Sequence, residues 1–193
     1  MPAAKPDRPA APGRLTFRPV TRAIRIDFER LFSSPGAPKH CWCMVWRRTP
    51  GEARHHDGPG RKRQMMKRIA EGVPVGLLAY RDQEPIAWVS VAPRDTYRHL
   101  GGLPVKAGEI VWSIVCLFVP RRLRGQGIAR RLIAAAVDYA RGEGASIVEA
   151  YPVDAAAPSY RFMGFVPLFA EAGFREIGRV GKRRHVMRLS LDD

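Results

Sequence analysis

The spacing of hydrophobic residues changes along the chain, and each change predicts a different type of secondary structure. The first third predicts a strand, a helix, a second strand and a second helix. Their ranges are residues 15–20, 21 to about 32, 40–46 and 61–70. Thr21 is predicted to cap the first helix. Residues 40–46 are predicted to be a strand because the segment is short, aromatic and apolar.

From Val75 onwards the pattern is typical of strands interrupted by one long and one short helix. Residues 75–80 and 85–91 are predicted to form a hairpin with its turn at 81–84. Residues 110–119 are an almost continuous apolar run, which predicts a strand covered on both faces. The remaining predictions are a helix at 127–141, a strand at 147–151, a short helix at 166–172, and a hairpin of 174–179 with 185–191.

This order predicts an α/β (α+β) fold, a twisted mixed β-sheet flanked by helices, with one parallel strand–helix–strand unit in the middle. With 193 residues, 46% of them hydrophobic, the chain suits one ordinary domain. We assign that domain to residues 14–193. Residues 1–13 are rich in Pro and Ala and are expected to be a disordered tail.

The formal net charge of +15 favours anionic partners: a phosphate-rich cofactor, an acidic surface or nucleic acid. Nucleic acid is disfavoured because Lys and Arg are spread along the whole chain and form no binding module. No apolar run is long enough for a membrane span, so no membrane partner is expected. Three cysteines without a secretion signal favour free thiols and a cytoplasmic location.

The segment Arg124-Gly125-Gln126-Gly127-Ile128-Ala129 joins the predicted buried strand to an amphipathic helix. Two Gly and one Ala let backbone N–H groups converge on an anion at the positive end of that helix. The segment is neither a Walker loop nor a dinucleotide fingerprint. A tight connection with surface arginines is the alternative interpretation.

This turn resembles the Arg/Gln-x-x-Gly-x-Gly/Ala pattern of the GNAT superfamily of N-acetyltransferases. The resemblance implies that the turn holds the pyrophosphate of acetyl-CoA. It also implies that the backbone of Leu117, Phe118 and Val119 holds the pantetheine arm and the thioester. A splayed strand pair would form a V-shaped opening between residues 114–119 and 147–151. The family's closing helix-then-Gly-Phe signature is similar to residues 169–174.

The family often has a tyrosine that protonates the leaving thiolate, at the position that Phe169 occupies here. Tyr151 or Tyr160 would have to replace it, and for both the alternative is ordinary packing. The attacking amine needs a proton acceptor. We favour Glu149, which interrupts an apolar strand, over Glu109 and Asp154. The alternative for Glu149 is a structural ion pair with an arginine.

The resemblance implies an N-acetyltransferase that moves an acetyl group from acetyl-CoA to an amine by direct attack in a ternary complex. Its acceptor would be an amine-bearing small molecule or a peptide, bound by residues 15–70 and 152–164. Trp42 and Trp46 could line that site. The alternatives are a non-catalytic acyl-CoA-binding sensor or degenerate acetyltransferase, and a basic nucleic-acid-binding protein. The sequence leaves open whether a homodimer forms.

Three smaller features are assigned no chemistry. His40, Cys41 and Cys43, with His55 and His56, lack the paired spacing of a zinc site, so no metal is expected. Cys116, in the central strand, is expected to be inert. His99 and His185 are expected to be isolated surface histidines.

Overall fold

A computed structural model describes residues 14–54 and 57–191, and within them seven strands form one sheet. The strands are β1 (Leu15–Pro19), β2 (Leu77–Arg81), β3 (Glu84–Pro93), β4 (Val111–Phe118), β5 (Ile147–Ala150), β6 (Arg175–Val180) and β7 (Arg184–Ser190). Their order across the sheet is β1-β2-β3-β4-β5-β7-β6. Only the β4–β5 pair is parallel among these, so the predicted mixed sheet is confirmed.

Helices cover both faces of the sheet. One face carries α1 (Arg25–Ser33) and α2 (Gly58–Ala70), and the other carries α3 (Ile128–Gly142) and α4 (Val166–Ala170). The parallel pair β4 and β5 is connected through α3, as its amphipathic pattern predicts. No helix in the described part of the chain is long and apolar enough to cross a membrane.

Alternation along β3 divides its side chains between two hydrophobic cores. Trp88 points to the face of α1, where its ring lies 4.9 Å from that of Phe28, whereas Val89 packs on the α3 side. The indole N–H of Trp88 donates to Cys43 Sγ at 3.0 Å. A central strand that is covered on both faces is apolar at almost every position. Each of its side chains is stabilised because it leaves water and contacts apolar neighbours.

The predicted β2–β3 hairpin is confirmed, with its register fixed by a two-residue turn. Asp82 and Gln83 both have positive φ, 49° and 67°. Two consecutive positive φ values match the right-handed twist of the flanking strands. The predicted cap at Thr21 is wrong: the chain first forms a 3-10 turn at Arg22–Ile24, and the Thr21 side chain makes no capping hydrogen bond.

The predicted strand at residues 40–46 is wrong, because that segment is a series of turns. Trp42 and Cys43 have positive φ, 46° and 51°, and with Met44 they are three consecutive buried residues. An extended strand would direct alternate side chains to opposite sides. Turns instead let all three enter the core between α1 and the sheet. The predicted tail, residues 1–13, lies outside the described residues.

The backbone just before β2 lies very close to β3 at Gly76. Its φ is +140°, and a Cβ there would lie 2.0 Å from Val89 O. We predict that Gly76→Ala lowers the free energy of unfolding by about 3 kcal/mol or more, measured by urea denaturation, because backbone atoms would have to move. Gly72→Ala is the control: its φ is +77° but no atom lies within 4 Å, so about 1 kcal/mol is expected. Equal losses would contradict the close approach.

Candidate active site

The two parallel strands pair over a short distance and then separate. Val111 to Ile114 pair with Ile147 to Ala150, and the pairing ends there. Beyond it, the described part of β4 pairs with β3 alone, and the register shift between Ser90 and Val91 leaves Val115 as an extra residue on β4. Such a bulge bends a strand and often lies beside an active site. The predicted V-shaped opening therefore begins at Val115 and Tyr151.

The turn after β4 has the geometry of an anion-binding helix start. Gly127 is the N-cap of α3 in the left-handed conformation, at φ 72°, and no side chain caps the helix. Gly125 also has positive φ, 76°. A Cβ on either glycine would meet no atom within 4 Å, so their backbone angles, rather than crowding, require glycine here.

Hydrogen bonds from side chains hold this turn in place. Arg124 Nε donates to Val119 O at 3.2 Å, and Arg81 Nη2 donates to Gln126 Oε1 at 3.2 Å. The first turn of α3 has no acidic residue. The backbone N–H groups at the start of α3 therefore have no side-chain cap in the described structure.

Glu149 is a fully buried carboxylate that two guanidinium groups surround. It accepts from Arg188 Nε at 2.6 Å, and Arg94 Nη1 lies 3.4 Å from its other oxygen. Tyr151, one step along the same face, donates its O–H to Glu149. Burial and the negative charge of Glu149 raise the pKa of Tyr151, which therefore stays protonated.

The segment between β3 and β4 covers this carboxylate. Leu103 O accepts from Arg94 Nη1 at 2.6 Å and from Arg188 Nη2 at 3.3 Å. Gly102 lies so close that a Cβ there would be 2.3 Å from Glu149 Oε1. Glu109, the second predicted base, lies 3.7 Å from Arg188 Nη1. The structure thus brings Glu149 and Glu109 together at Arg188, and Tyr151 joins the group through its hydrogen bond to Glu149.

The structure adds Arg94 and Arg188 to this site, and sequence reasoning did not find them. Arg188 stands directly opposite Glu149 in the β5–β7 ladder. That neighbour follows only from the register of two strands about 40 residues apart, which no local pattern specifies. Arg94 comes from the 3-10 turn at Arg94–Thr96 after β3.

His185 is not an isolated surface histidine, as was expected. It is buried, its Nδ1 lies 2.8 Å from Glu176 Oε2, and its Nε2 lies 3.1 Å from Asp154 Oδ1. The hydrogen bond with His185 holds the pKa of Glu176 below its usual range. Asp154, the third predicted base, therefore already has an ionisable partner.

The aromatic residues named from the sequence have different environments. Phe169 is fully buried, 5.3 Å from the Phe174 ring. Trp42 belongs to the core, stacked 5.6 Å from Phe32. Trp46 stacks instead on the partly exposed Tyr160 at 6.2 Å. Of the two tryptophans expected near an acceptor, only Trp46 has an accessible aromatic neighbour in the described structure.

The cysteines are free thiols in the described structure, with Cys43 Sγ donating to Cys116 Sγ at 3.1 Å. No group of three metal-ligating side chains occurs among residues 14–54 and 57–191. His55 and His56, two members of the metal site considered above, lie outside the described residues.

The model of the acetyltransferase (GNAT) family matches residues 39–165, about two thirds of the chain. The chain belongs to the GNAT family. None of the curated proteins compared has a significantly similar sequence.

Solved structures show that the whole GNAT fold is present. The ribosomal-protein-alanine N-acetyltransferase of Brucella melitensis has a TM-score of 0.57 at 21% identity, covering 91% of this chain and 99% of that one. YncA of Salmonella typhimurium, solved with acetyl-CoA, has a TM-score of 0.53 at 19% identity, covering 93% and 95%. NAA60 of Arabidopsis thaliana, solved with acetyl-CoA, has a TM-score of 0.53 at 18% identity, covering 92% and 100%.

We expect the ion pairs at Glu149 to stabilise this GNAT domain by a measurable amount. We predict that Arg188→Met lowers the free energy of unfolding by about 3 kcal/mol, because a buried carboxylate loses its shortest charged partner. Arg141→Met is the matched control, since Arg141 pairs with the exposed Asp138 at 3.1 Å, and a loss below about 0.5 kcal/mol is expected. Urea denaturation measures the free energy of unfolding of both variants. A decrease for Arg188→Met as small as that of the control would show that the buried Glu149 carboxylate is stable without Arg188.

Proposed function

We propose that this protein transfers an acetyl group from acetyl-CoA to the amine of an acceptor, by direct attack in a ternary complex. The observation that carries the proposal is the combination of parting parallel strands with an uncapped, glycine-containing turn before α3. Two structural neighbours solved with acetyl-CoA support it. The membership in the GNAT family supports acyl transfer as the reaction class.

In this proposal the chain's backbone binds the donor. The N–H groups of residues 124–129 donate hydrogen bonds to the pyrophosphate at the positive end of α3, and nearby arginines add to the positive field. The backbone of Leu117, Phe118 and Val119, at the end of β4, holds the pantetheine arm. A backbone N–H near Val119 polarises the thioester carbonyl and stabilises the oxyanion that forms when the amine attacks.

Glu149 and Tyr151 move the protons in this proposal. The neutral amine attacks the carbonyl carbon, a C–N bond forms, and the amine proton passes through the Tyr151 hydroxyl to Glu149, which Tyr151 already contacts. When the C–S bond breaks, Tyr151 gives its proton to the thiolate and regains one from Glu149. Because the pKa of Tyr151 is raised, the hydroxyl gives up a proton only as it gains another, from the amine in the first step and from Glu149 in the second.

The donor site is tested by a charge placed in the turn. We predict that Ala129→Glu weakens CoA binding at least about tenfold, because a carboxylate at the start of α3 repels the pyrophosphate. Calorimetry measures the affinity, and circular dichroism checks the fold. Ala134→Glu adds the same charge to an exposed position further along α3 and should keep CoA affinity. Unchanged affinity in Ala129→Glu would remove the turn from the site.

The proton acceptor is tested by neutralising each carboxylate beside Arg188. We predict that Glu149→Gln lowers kcat about 100-fold or more, while CoA affinity stays within about twofold, because the amine loses its proton acceptor. Glu109→Gln is the matched control, since Glu109 shares Arg188 but stands outside the strand, and it should keep kcat. The reverse result would assign the base to Glu109.

The first acceptor screen uses a panel of amines that includes peptide N-termini. The release of free CoA measures acetyl transfer to each amine. The Brucella neighbour, a ribosomal-protein-alanine N-acetyltransferase, is the reason to include peptides. The second candidate function is a non-catalytic acyl-CoA sensor, which the buried Phe169 favours because it has no proton to donate. Tight CoA binding without turnover on any amine would support the sensor.

A further inference from the structure

A cavity of about 540 Å³ lies on the face of the sheet that α1 and α2 cover, opposite the face of α3. Three parts of the chain surround it: the segment 47–53, Arg68 of α2, and the residues 95–99 after β3. Its volume is within the range of small-molecule sites and exceeds what a water cluster or a simple ion needs. Neither the acetyl-CoA turn nor the Glu149 carboxylate lines it.

Positive charge dominates the lining of this cavity. Four arginines line it, namely Arg47, Arg48, Arg68 and Arg98. Arg68 forms a two-pronged ion pair with Glu52, both contacts at 2.8 Å. The other three have no carboxylate within 4.0 Å among the described residues. Asp95 is the one acidic residue in the described lining, so an excess of cations remains.

Arg47 is a buried guanidinium whose hydrogen-bond acceptors in the described structure are all neutral. It is 2% exposed and donates to Val75 O at 2.9 Å, Ser90 Oγ at 3.2 Å and Tyr97 Oη at 2.7 Å. Its Nε has no hydrogen-bond partner in the described structure. Burial of a charge is unfavourable unless an opposite charge compensates it. A ligand that carries negative charge would supply that compensation.

Arg48 gives the second observation. Its Nε and Nη1 atoms are buried and have no partner in the part of the chain that the structure describes. The Nε–H and the Nη1 hydrogens point to different sides of the guanidinium, so each is free to donate a separate hydrogen bond to a carboxylate or phosphate oxygen. The rest of the lining includes apolar surface from Pro50, Ala53 and the Tyr97 ring. That surface suits a ligand with an apolar body beside its charged group.

We propose that this cavity binds a small organic anion, whose carboxylate or phosphate oxygens accept hydrogen bonds from Arg48 beside the buried Arg47 guanidinium. The apolar part of the ligand packs against Pro50, Ala53 and Tyr97. The site is separate from the acetyl-CoA turn and does not depend on acetyl transfer.

Phenyl phosphate and benzoate are the probes, because each joins an oxyanion to an apolar ring. Binding is measured in the Ala129→Glu variant, because its turn repels phosphate. Calorimetry gives the affinity, and the melting temperature is compared with that in sodium chloride of equal ionic strength. At least one probe should bind with a Kd below about 1 mM and raise the melting temperature. If only one probe binds, its phosphate or carboxylate is the group that the cavity recognises. If neither probe binds, the proposal is overturned.

Arginine variants locate the binding. Arg48→Met, made in the same background, should weaken the probe at least tenfold. Arg98→Met, a more exposed position on the same cavity, should weaken it as well and serves if Arg48→Met does not fold. Arg175→Met removes an equal charge on the edge strand β6, outside the lining of the cavity, and should leave the affinity unchanged. Full binding in both cavity variants would overturn the proposal, whatever the outcome of CoA binding.

Discussion

The separation of β4 from β5 after only four residue pairs is the constraint on which the site depends. Parallel strands normally continue side by side, because each pair adds hydrogen bonds to the ladder. Here the extra residue at Val115 turns β4 while β3 keeps its other edge paired through Phe118. On the far side β7 holds β5. The opening is therefore a fixed feature of the sheet, since each of its two walls is held by another strand.

Local pattern was enough to predict most elements around this opening. The apolar run of β4, the stripe of α3 and the Gly-containing turn between them each follow from a rule that acts within a few residues. The same rules failed at residues 40–46, where the core requires three consecutive buried side chains and the chain turns to provide them. Composition predicts that such a segment is buried but not how its backbone bends.

The partners of Glu149 show a second limit of sequence reasoning. Its interruption of an apolar strand was visible, and an arginine partner was one of the two interpretations. The number and identity of these partners, Arg94 and Arg188, depend on the β5–β7 register and on how the segment after β3 folds back. Interactions between distant residues depend on the assembled sheet. The charged partners of Glu149 are accordingly the feature of this face that local rules predict least well.

The face under α1 and α2 holds two buried charges, and the protein stabilises them differently. Glu149 has two guanidinium partners, whereas Arg47 has only carbonyl, hydroxyl and aromatic groups. The residues after β3 contact both, because Arg94 reaches Glu149 while Asp95 to His99 line the cavity beside Arg47. The 3-10 turn at Arg94–Thr96 thus contacts the ion pairs of Glu149 on one side and the cavity on the other.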